Sequence, residues 1–361
     1  MRRMVWLSVV LLALVATACG GGSGGDADLV VGEDDRTLPE PEPGVTDHDT
    51  GVVDAAAQLA AAFESAGDVA TYRIDAAQGS TLRVPGAGLN QVVTLDEDRI
   101  ATSTTVDGSS SYIDMNLTAM FGPLGTADDI TIQLWSTPDL VVLDTTSYAQ
   151  LLELNPSADV GPFAPGVSSI DLEALAGDSD DLVTAIAGSG PIGITDLTAG
   201  LIDILEDVSL ADDARTFSGT ATYGAVLEAQ GADIEATARS VAGGLALNLG
   251  VDVDALTELY VDLYREAPAD LVIVLDDAGL LAEIRIVGDL SALYEDLPAL
   301  LTALPDAGIS EAEAATIFAN PVFVLEQLLR FDLDPPASPP IPDTTEDRTD
   351  LWVEFLEASG F

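Results

Sequence analysis

The stretch that decides the fold reads Tyr112-Ile113-Asp114-Met115-Asn116-Leu117-Thr118-Ala119 and resumes as Ile130-Thr131-Ile132-Gln133-Leu134-Trp135. In the first segment Ile113, Met115, Leu117 and Ala119 alternate with Tyr112, Asp114, Asn116 and Thr118. In the second, Ile130, Ile132 and Leu134 alternate with Thr131, Gln133 and Trp135. Phe121-Gly122-Pro123-Leu124-Gly125 between them has the composition of a turn. Successive side chains of a strand point to opposite faces, so this period of two predicts strand, turn and strand with one apolar face.

Working outward, residues 69–75, 90–95, 99–106 and 140–143 read as further strands. Ahead of them Val53, Ala56, Ala57, Ala60 and Phe63 recur at helical spacing, with Gly67 placed to end the helix. From 147 to 210 the pattern is helical and broken by Gly and Pro; Leu197, Leu201, Ile204 and Leu205 form a stripe behind a Thr195 N-cap. Strand character returns at 216–228. Residues 254–265 predict an amphipathic helix with Leu256, Leu259, Tyr260 and Leu263 on one side. Residues 271–275 and 280–287 read as a hairpin across Asp276-Asp277-Ala278-Gly279, where Gly supplies a positive φ. Helical character at 291–304 is interrupted by Pro298, and Ser310-Glu311-Ala312-Glu313 matches a capping box before another helix. Residues 322–334 fit helix or strand, 335–345 read as a loop, and Trp352, Phe355 and Leu356 form a last short helical stripe. No repeat of fixed period is present. This order fits one α+β domain on an antiparallel sheet, with helices gathered on one side.

The composition limits what such a domain can do. The chain has 361 residues, 62 acidic side chains against 12 basic ones, and a formal charge of −50. Every basic residue is Arg, and His48 and Cys19 are the single His and Cys. A Schiff-base or P-loop lysine is excluded, as is a disulfide within the chain. Binding to nucleic-acid phosphates is excluded in practice, because that affinity comes from Lys and Arg displacing counterions. With 48% hydrophobic residues the chain nevertheless carries enough apolar surface for a core.

Arg2 and Arg3 precede an apolar run at 5–18, too short to span a bilayer comfortably, which ends in Val15-Ala16-Thr17-Ala18-Cys19. Small residues before a Cys at this place resemble the bacterial lipobox. In that pattern residues 1–18 are a signal peptide, the Cys19 thiol takes a diacylglycerol, and the new amine is open to acylation with a chain such as palmitate. Two or three acyl chains anchor stably where one alone is marginal. Removing Arg2 and Arg3 with the signal leaves ten Arg against 62 acids, a formal charge of −52. Residues 19–50 then form a Gly/Ser-rich and acidic, Pro-punctuated tether, and the domain occupies 51–345, followed by a tail at 346–361.

Several of these segments in order resemble a known family. A helix leads into a Ser/Tyr-containing strand at 65–73, a Met-bearing strand at 113–117 and an edge at 132–143. After a helical excursion come a strand at 217–223, the hairpin at 272–280 and a Pro-containing segment near 332–335. Behind a lipobox, this arrangement resembles actinobacterial lipoproteins of the LppX/LprG type, distant structural relatives of the LolA-like carriers, over roughly residues 53–345. The resemblance implies a strongly curved antiparallel half-barrel with helices packed on its concave face. It also implies an apolar cavity for the acyl chains of envelope lipids or lipoglycans, and no catalytic residue. The chain departs from that family in extra helical segments around 155–212, 232–266 and 290–320, and in its acidity.

On this reading Ile113, Met115, Leu117, Ile130, Ile132, Leu134, Val272, Val274, Ile284 and Ile286 line the cavity. The same residues equally suit a filled core, so a scaffolding lipoprotein of an envelope complex is the first alternative. A hydrolase built on carboxylates is the second. Neither cofactor nor metal is expected. Asp49-Thr50-Gly51 lacks the second copy that an aspartic protease needs. Asp178-Ser179-Asp180-Asp181 and Asp252-Val253-Asp254 lack the Gly and terminal Glu of an EF-hand, and read as acidic turns or helix caps. The expected setting is the extracytoplasmic face of a membrane. Added salt is expected to raise the unfolding midpoint by screening self-repulsion; a midpoint that is flat with salt would remove that account of the charge.

Overall fold

A computed structural model describes residues 55–67, 69–87, 89–93, 95, 100–116, 130–149, 164–172, 194–239, 242, 252–292, 311–342 and 346–358. The predicted signal and tether, Leu117, the turn at 121–125, Asp178 to Asp181 and most of the helix predicted at 291–304 lie outside the described residues.

The strands are β1 (Thr71–Val84), β2 (Leu89–Val93), β3 (Thr102–Asp107), β4 (Ser110–Asn116), β5 (Thr131–Ser136), β6 (Leu140–Asp144) and β7 (Val167–Asp171). They continue as β8 (Glu206–Leu210), β9 (Thr216–Thr222), β10 (Pro268–Leu275), β11 (Leu281–Asp289), β12 (Val322–Asp332) and β13 (Glu346–Asp347). Among the described residues the helices are α1 (Ala55–Gly67), α2 (Ile194–Ile204), α3 (Tyr223–Ala229), α4 (Val253–Glu266), α5 (Glu311–Ile317) and α6 (Thr349–Ala358). All thirteen strands join one sheet in the order β13-β7-β6-β5-β4-β3-β1-β12-β11-β10-β9-β8, with β2 beside β1. Every pairing is antiparallel except β13 with β7. The chain is therefore an α+β domain on a large, mostly antiparallel sheet.

Residues directly opposite one another in paired strands share a face. The register thus links Leu210, Phe217, Ile273, Ile284, Leu329, Ala76, Thr102, Met115 and Ile132 in one row across nine strands, from β8 to β5. We call this face the front. Leu59, Ala62, Phe63 and Ala66 of α1 and Ile194, Leu197 and Leu201 of α2 are buried on it, against Phe217, Leu271, Ile273, Ile284, Ile286 and Leu329. A second cluster forms around α4, where Leu256, Tyr260, Leu263 and Tyr264 meet Ile234, Ala238 and Leu290. Tyr223 packs against both clusters. Its ring lies 5.8 Å from that of Tyr264, which lies 5.8 Å from Tyr260, in tilted contacts of the kind aromatic quadrupoles favour.

The back of the central strands is polar. Arg73 reaches Asp75 at 3.3 Å and Asp332 at 3.4 Å, Arg330 reaches Glu283 at 3.6 Å, and Arg285 reaches Glu326 at 3.9 Å. Ser103 donates to Asp75 at 2.6 Å. Such partly exposed pairs contribute about 0–1 kcal/mol each, so they fix register more than they add stability.

Several sequence expectations change. The segment at 147–210 contains two strands, β7 and β8, besides the helix α2. The strand expected at 216–228 stops at Thr222, whose hydroxyl accepts from the Ala225 N–H at 3.3 Å and starts α3. The buried stripe of α1 is Leu59, Ala62, Phe63 and Ala66, rotated from the one read in the sequence; Ala56 and Ala57 are exposed. Thr195 lies inside α2, and the Tyr72 hydroxyl takes over the capping role by accepting from the Ile194 N–H at 3.2 Å. Residues 322–332 are strand, and the tail supplies both β13 and α6. The hairpin between β10 and β11 turns as read: Gly279 has φ +81°, and Asp276 accepts from the Ala278 and Leu280 N–H groups, both at 2.8 Å. Asp252 caps α4 by accepting from the Asp254 and Ala255 N–H groups.

Gly288 lies on the front of β11, where a Cβ would come within 2.4 Å of the Tyr223 ring. Gly288→Ala is therefore expected to displace Tyr223 and destabilise the domain by about 1–3 kcal/mol. A denaturant midpoint equal to that of the wild type would show that the two clusters do not depend on this contact.

Candidate functional site

The helix-filled cluster ends on the sheet at Val106 of β3. Beyond it, strands β4 to β7 form a wing whose front stays apolar. Thr104, Ile113, Leu134, Leu143 and Ser168 stand opposite one another in consecutive strands. Met115 pairs with Ile132, and Val141 with Ile170. Met115, Ile130, Ile132, Val141, Leu143 and Ile170 are buried, while Ile113 and Leu134 are half-buried. None of these residues belongs to the cluster formed by α1, α2 and α3. The threonines Thr102 and Thr104 of β3 separate the two halves of the front.

The predicted lining residues divide accordingly. Ile113, Met115, Ile132 and Leu134 share the front of the wing, and Ile130, immediately before β5, is fully buried. Ile284 and Ile286 lie on the same front but inside the helix-filled half. Val272 and Val274 do not join them: they stand opposite Arg285 and Glu283 on the back. The physical reason is the register of the hairpin, which pairs Ile273 with Ile284 and Leu271 with Ile286. The alternate residues of β10 must then face the other way. Leu117 lies outside the described residues.

The back of the wing is closed by its own small cluster. The rings of Tyr112 and Trp135 are 5.2 Å apart and pack with Val142 against Leu140 and Val167. Trp135 Nε1 donates to the Pro339 carbonyl at 3.0 Å, which ties the Pro-rich segment to this face. At the outer edge β13 joins β7, and the buried Arg348 secures it. Its guanidinium donates to the Ala164 carbonyl at 2.6 Å and to Glu346 at 2.8 Å and 3.1 Å, and its own N–H donates to the Ser169 carbonyl. Thr349 donates to Asp347 at 2.7 Å and accepts from the Asp171 N–H at 3.0 Å.

Two residues of this site escaped the sequence reading. Ser168 is fully buried on the front of β7, and its hydroxyl has no hydrogen-bond partner. Arg348 is a single Arg in an acidic tail, and only the fold brings it to the β7 edge. A weak signal existed for Ser168, since Val167-Ser168-Ser169-Ile170 is strand-like in composition.

Elsewhere, Asp252 caps α4, in keeping with the acidic turn or helix cap read at 252–254, and exposed Asp254 pairs with Arg239 at 2.7 Å. An open groove of about 350 Å³ is lined by Glu228, Gly231, Ala232, Asp233, Ile234, Glu235 and Arg265, and holds none of the predicted lining residues. Among the described residues no three His, Cys, Asp or Glu side chains are placed to hold a metal ion.

No protein-family model matches the chain, and no curated protein matches it. Among solved structures, it is similar to the crystal structure of LprF from Mycobacterium bovis, at 10% sequence identity and a TM-score of 0.30. The match covers 79% of this chain and 96% of that one.

Burial, and then the neighbouring Asp114 carboxylate, push the Tyr112 phenol up to about 12 from an ordinary value of 10.0. An unfolded tyrosine ionises near its ordinary value, so the stability held by neutral Tyr112 is whole below pH about 10 and is lost between about 10 and 12. Tyr112→Phe is expected to soften the alkaline fall of the unfolding midpoint in that window. Superimposable alkaline profiles for the two proteins would contradict the burial of this phenol.

Proposed function

We propose that this chain is a cell-envelope lipoprotein, anchored to the extracytoplasmic face of a membrane through acylated Cys19. It binds an amphiphilic lipid or lipoglycan against the front of its wing. One observation supports this reading most. The front is filled by helices from β8 to β3, and it continues across β4 to β7 as a separate apolar face, largely buried but outside the helix cluster. On this proposal the front is the concave side of a curved sheet. Four strands span about 15 Å at about 4.8 Å per gap, and each strand runs about 17–20 Å, a surface on the scale of an acyl chain. Each methylene buried there gains about 0.8 kcal/mol. The reading is one of binding and carriage, with no bond made or broken.

The rival is a scaffolding lipoprotein, and a specific observation favours it: Ile284 and Ile286, two of the predicted lining residues, sit under α1 and α2 in a filled core. The test separates the two. The full chain is produced with Cys19→Ala, so that no acyl chain is attached, and is extracted with organic solvent or incubated with palmitoyl-containing phosphatidylglycerol vesicles. The carrier is expected to retain or take up lipid. Leu134→Arg, at a half-buried front position, is expected to lower uptake by about fivefold or more by placing a charge on the apolar face. A folded chain that neither carries nor takes up lipid leaves the scaffold.

A further inference from the structure

We infer that Ser168 is the hydrogen-bond donor that fixes the polar end of the ligand on the wing, and that this end is an uncharged acyl carbonyl, an ester or an amide. The inference rests on the lipid-binding reading above.

Among the described residues the Ser168 hydroxyl is the one buried hydroxyl without a hydrogen-bond partner. Its position explains why the protein cannot satisfy it. A buried hydroxyl on a helix bonds back to the carbonyl one turn earlier, as Thr198 does to Ile194 at 2.7 Å and Thr237 to Asp233 at 2.8 Å. Thr145, buried at the start of the β6–β7 connection, donates to the Ala164 and Gly166 carbonyls. Ser168 has no such recourse. It is central in a strand paired on both sides, with Leu143 of β6 and Glu346 of β13, so the ladder engages the backbone around it. Leaving a buried donor unsatisfied carries a desolvation penalty, which a bound acceptor recovers.

The surroundings define the acceptor. Leu143 stands opposite Ser168, Leu134 and Ile113 follow in the same row, and Ile170 is its neighbour on the same face. This row is apolar and suits a hydrocarbon chain; on the other side Glu346 stands opposite Ser168, with its carboxylate held by Arg348. A carboxylate is a poor fit. The nearby cation, Arg348, already donates to Ala164 and Glu346, and the chain carries a formal charge of −50. A neutral carbonyl at the head of an acyl chain needs one donor and no countercharge, which is what Ser168 supplies.

The experiment compares two probes of matched chain and head, 1-monopalmitoylglycerol and 1-O-hexadecylglycerol, which lacks the ester carbonyl. Equilibrium binding is measured on the full chain carrying Cys19→Ala, with and without Ser168→Ala. The first protein is expected to bind the ester about fivefold more tightly than the ether, and Ser168→Ala to erase that preference. Ser168→Ala is also expected to melt at or above the parent temperature, because it removes an unsatisfied hydroxyl. Tight binding of both probes without preference, or a preference that survives Ser168→Ala, overturns the role of Ser168 and leaves lipid binding standing. Binding of neither probe by folded protein overturns both.

Discussion

The structure depends on the ladder between β1 and β12. Eleven consecutive pairs, from Arg73 with Asp332 to Arg83 with Val322, join the beginning of the sheet to its last long strand. Because side chains alternate with a period of two, this register decides which face every other strand presents. A slip of β1 by one residue would carry Ile74 to the back and Arg73 into the core, and a slip of β12 would do the same with Leu329 and Arg330. The arginines resist that slip. Arg73 bridges β1 and β12, Arg330 bridges β12 and β11, and Arg285 bridges β11 back to β12. Each pair is energetically small, but together they make the wrong register bury unpaired charge.

Much of this was legible in the sequence where aliphatic and polar or aromatic residues alternate. Tyr112 to Asn116 and Thr131 to Trp135 alternate cleanly, and the structure pairs them with the expected apolar side in common. Helix α4 was legible because Asp252 caps it and its stripe is regular. The reading failed where both faces are partly covered. In β12, Leu328 is buried on the back while Leu329 is buried on the front, so no period of two is visible. Strand β8 has the opposite problem. Glu206-Asp207-Val208-Ser209 is mostly polar, and an edge strand needs little apolar surface. Val272 and Val274 were grouped with Ile284 and Ile286 because a hairpin's register cannot be counted through its bulge. The strand around Ser168 left a weak trace in the sequence, but its unpartnered hydroxyl did not: whether a hydroxyl has a partner is a property of the assembled sheet.

The charge takes on a different meaning once the faces are assigned. Few cations are available, and the sheet spends three of them on the back of its central strands, where they meet carboxylates. A fourth, Arg348, is buried at the wing edge. From β8 to β7 the front is left to uncharged side chains, with threonines on β3 as the boundary between a helix-filled half and an apolar wing; Glu346 of β13, paired with Arg348, borders it. An acidic protein thus keeps one extended surface free of its own net charge, which is the condition a neutral hydrocarbon partner requires.

The two ends of the strand order carry a further consequence. At one end β8 begins Glu206-Asp207, with Asp207 held at φ +52° and the pairing to β9 shifted there. At the other end β13 is two residues long, Glu346 and Asp347. An open sheet normally invites a second copy to add its own strand to a free edge. Here each terminal strand meets a newcomer with adjacent carboxylates, and one of the two is also irregular. Like-charge contact at both borders of the described sheet discourages stacking of copies into ribbons.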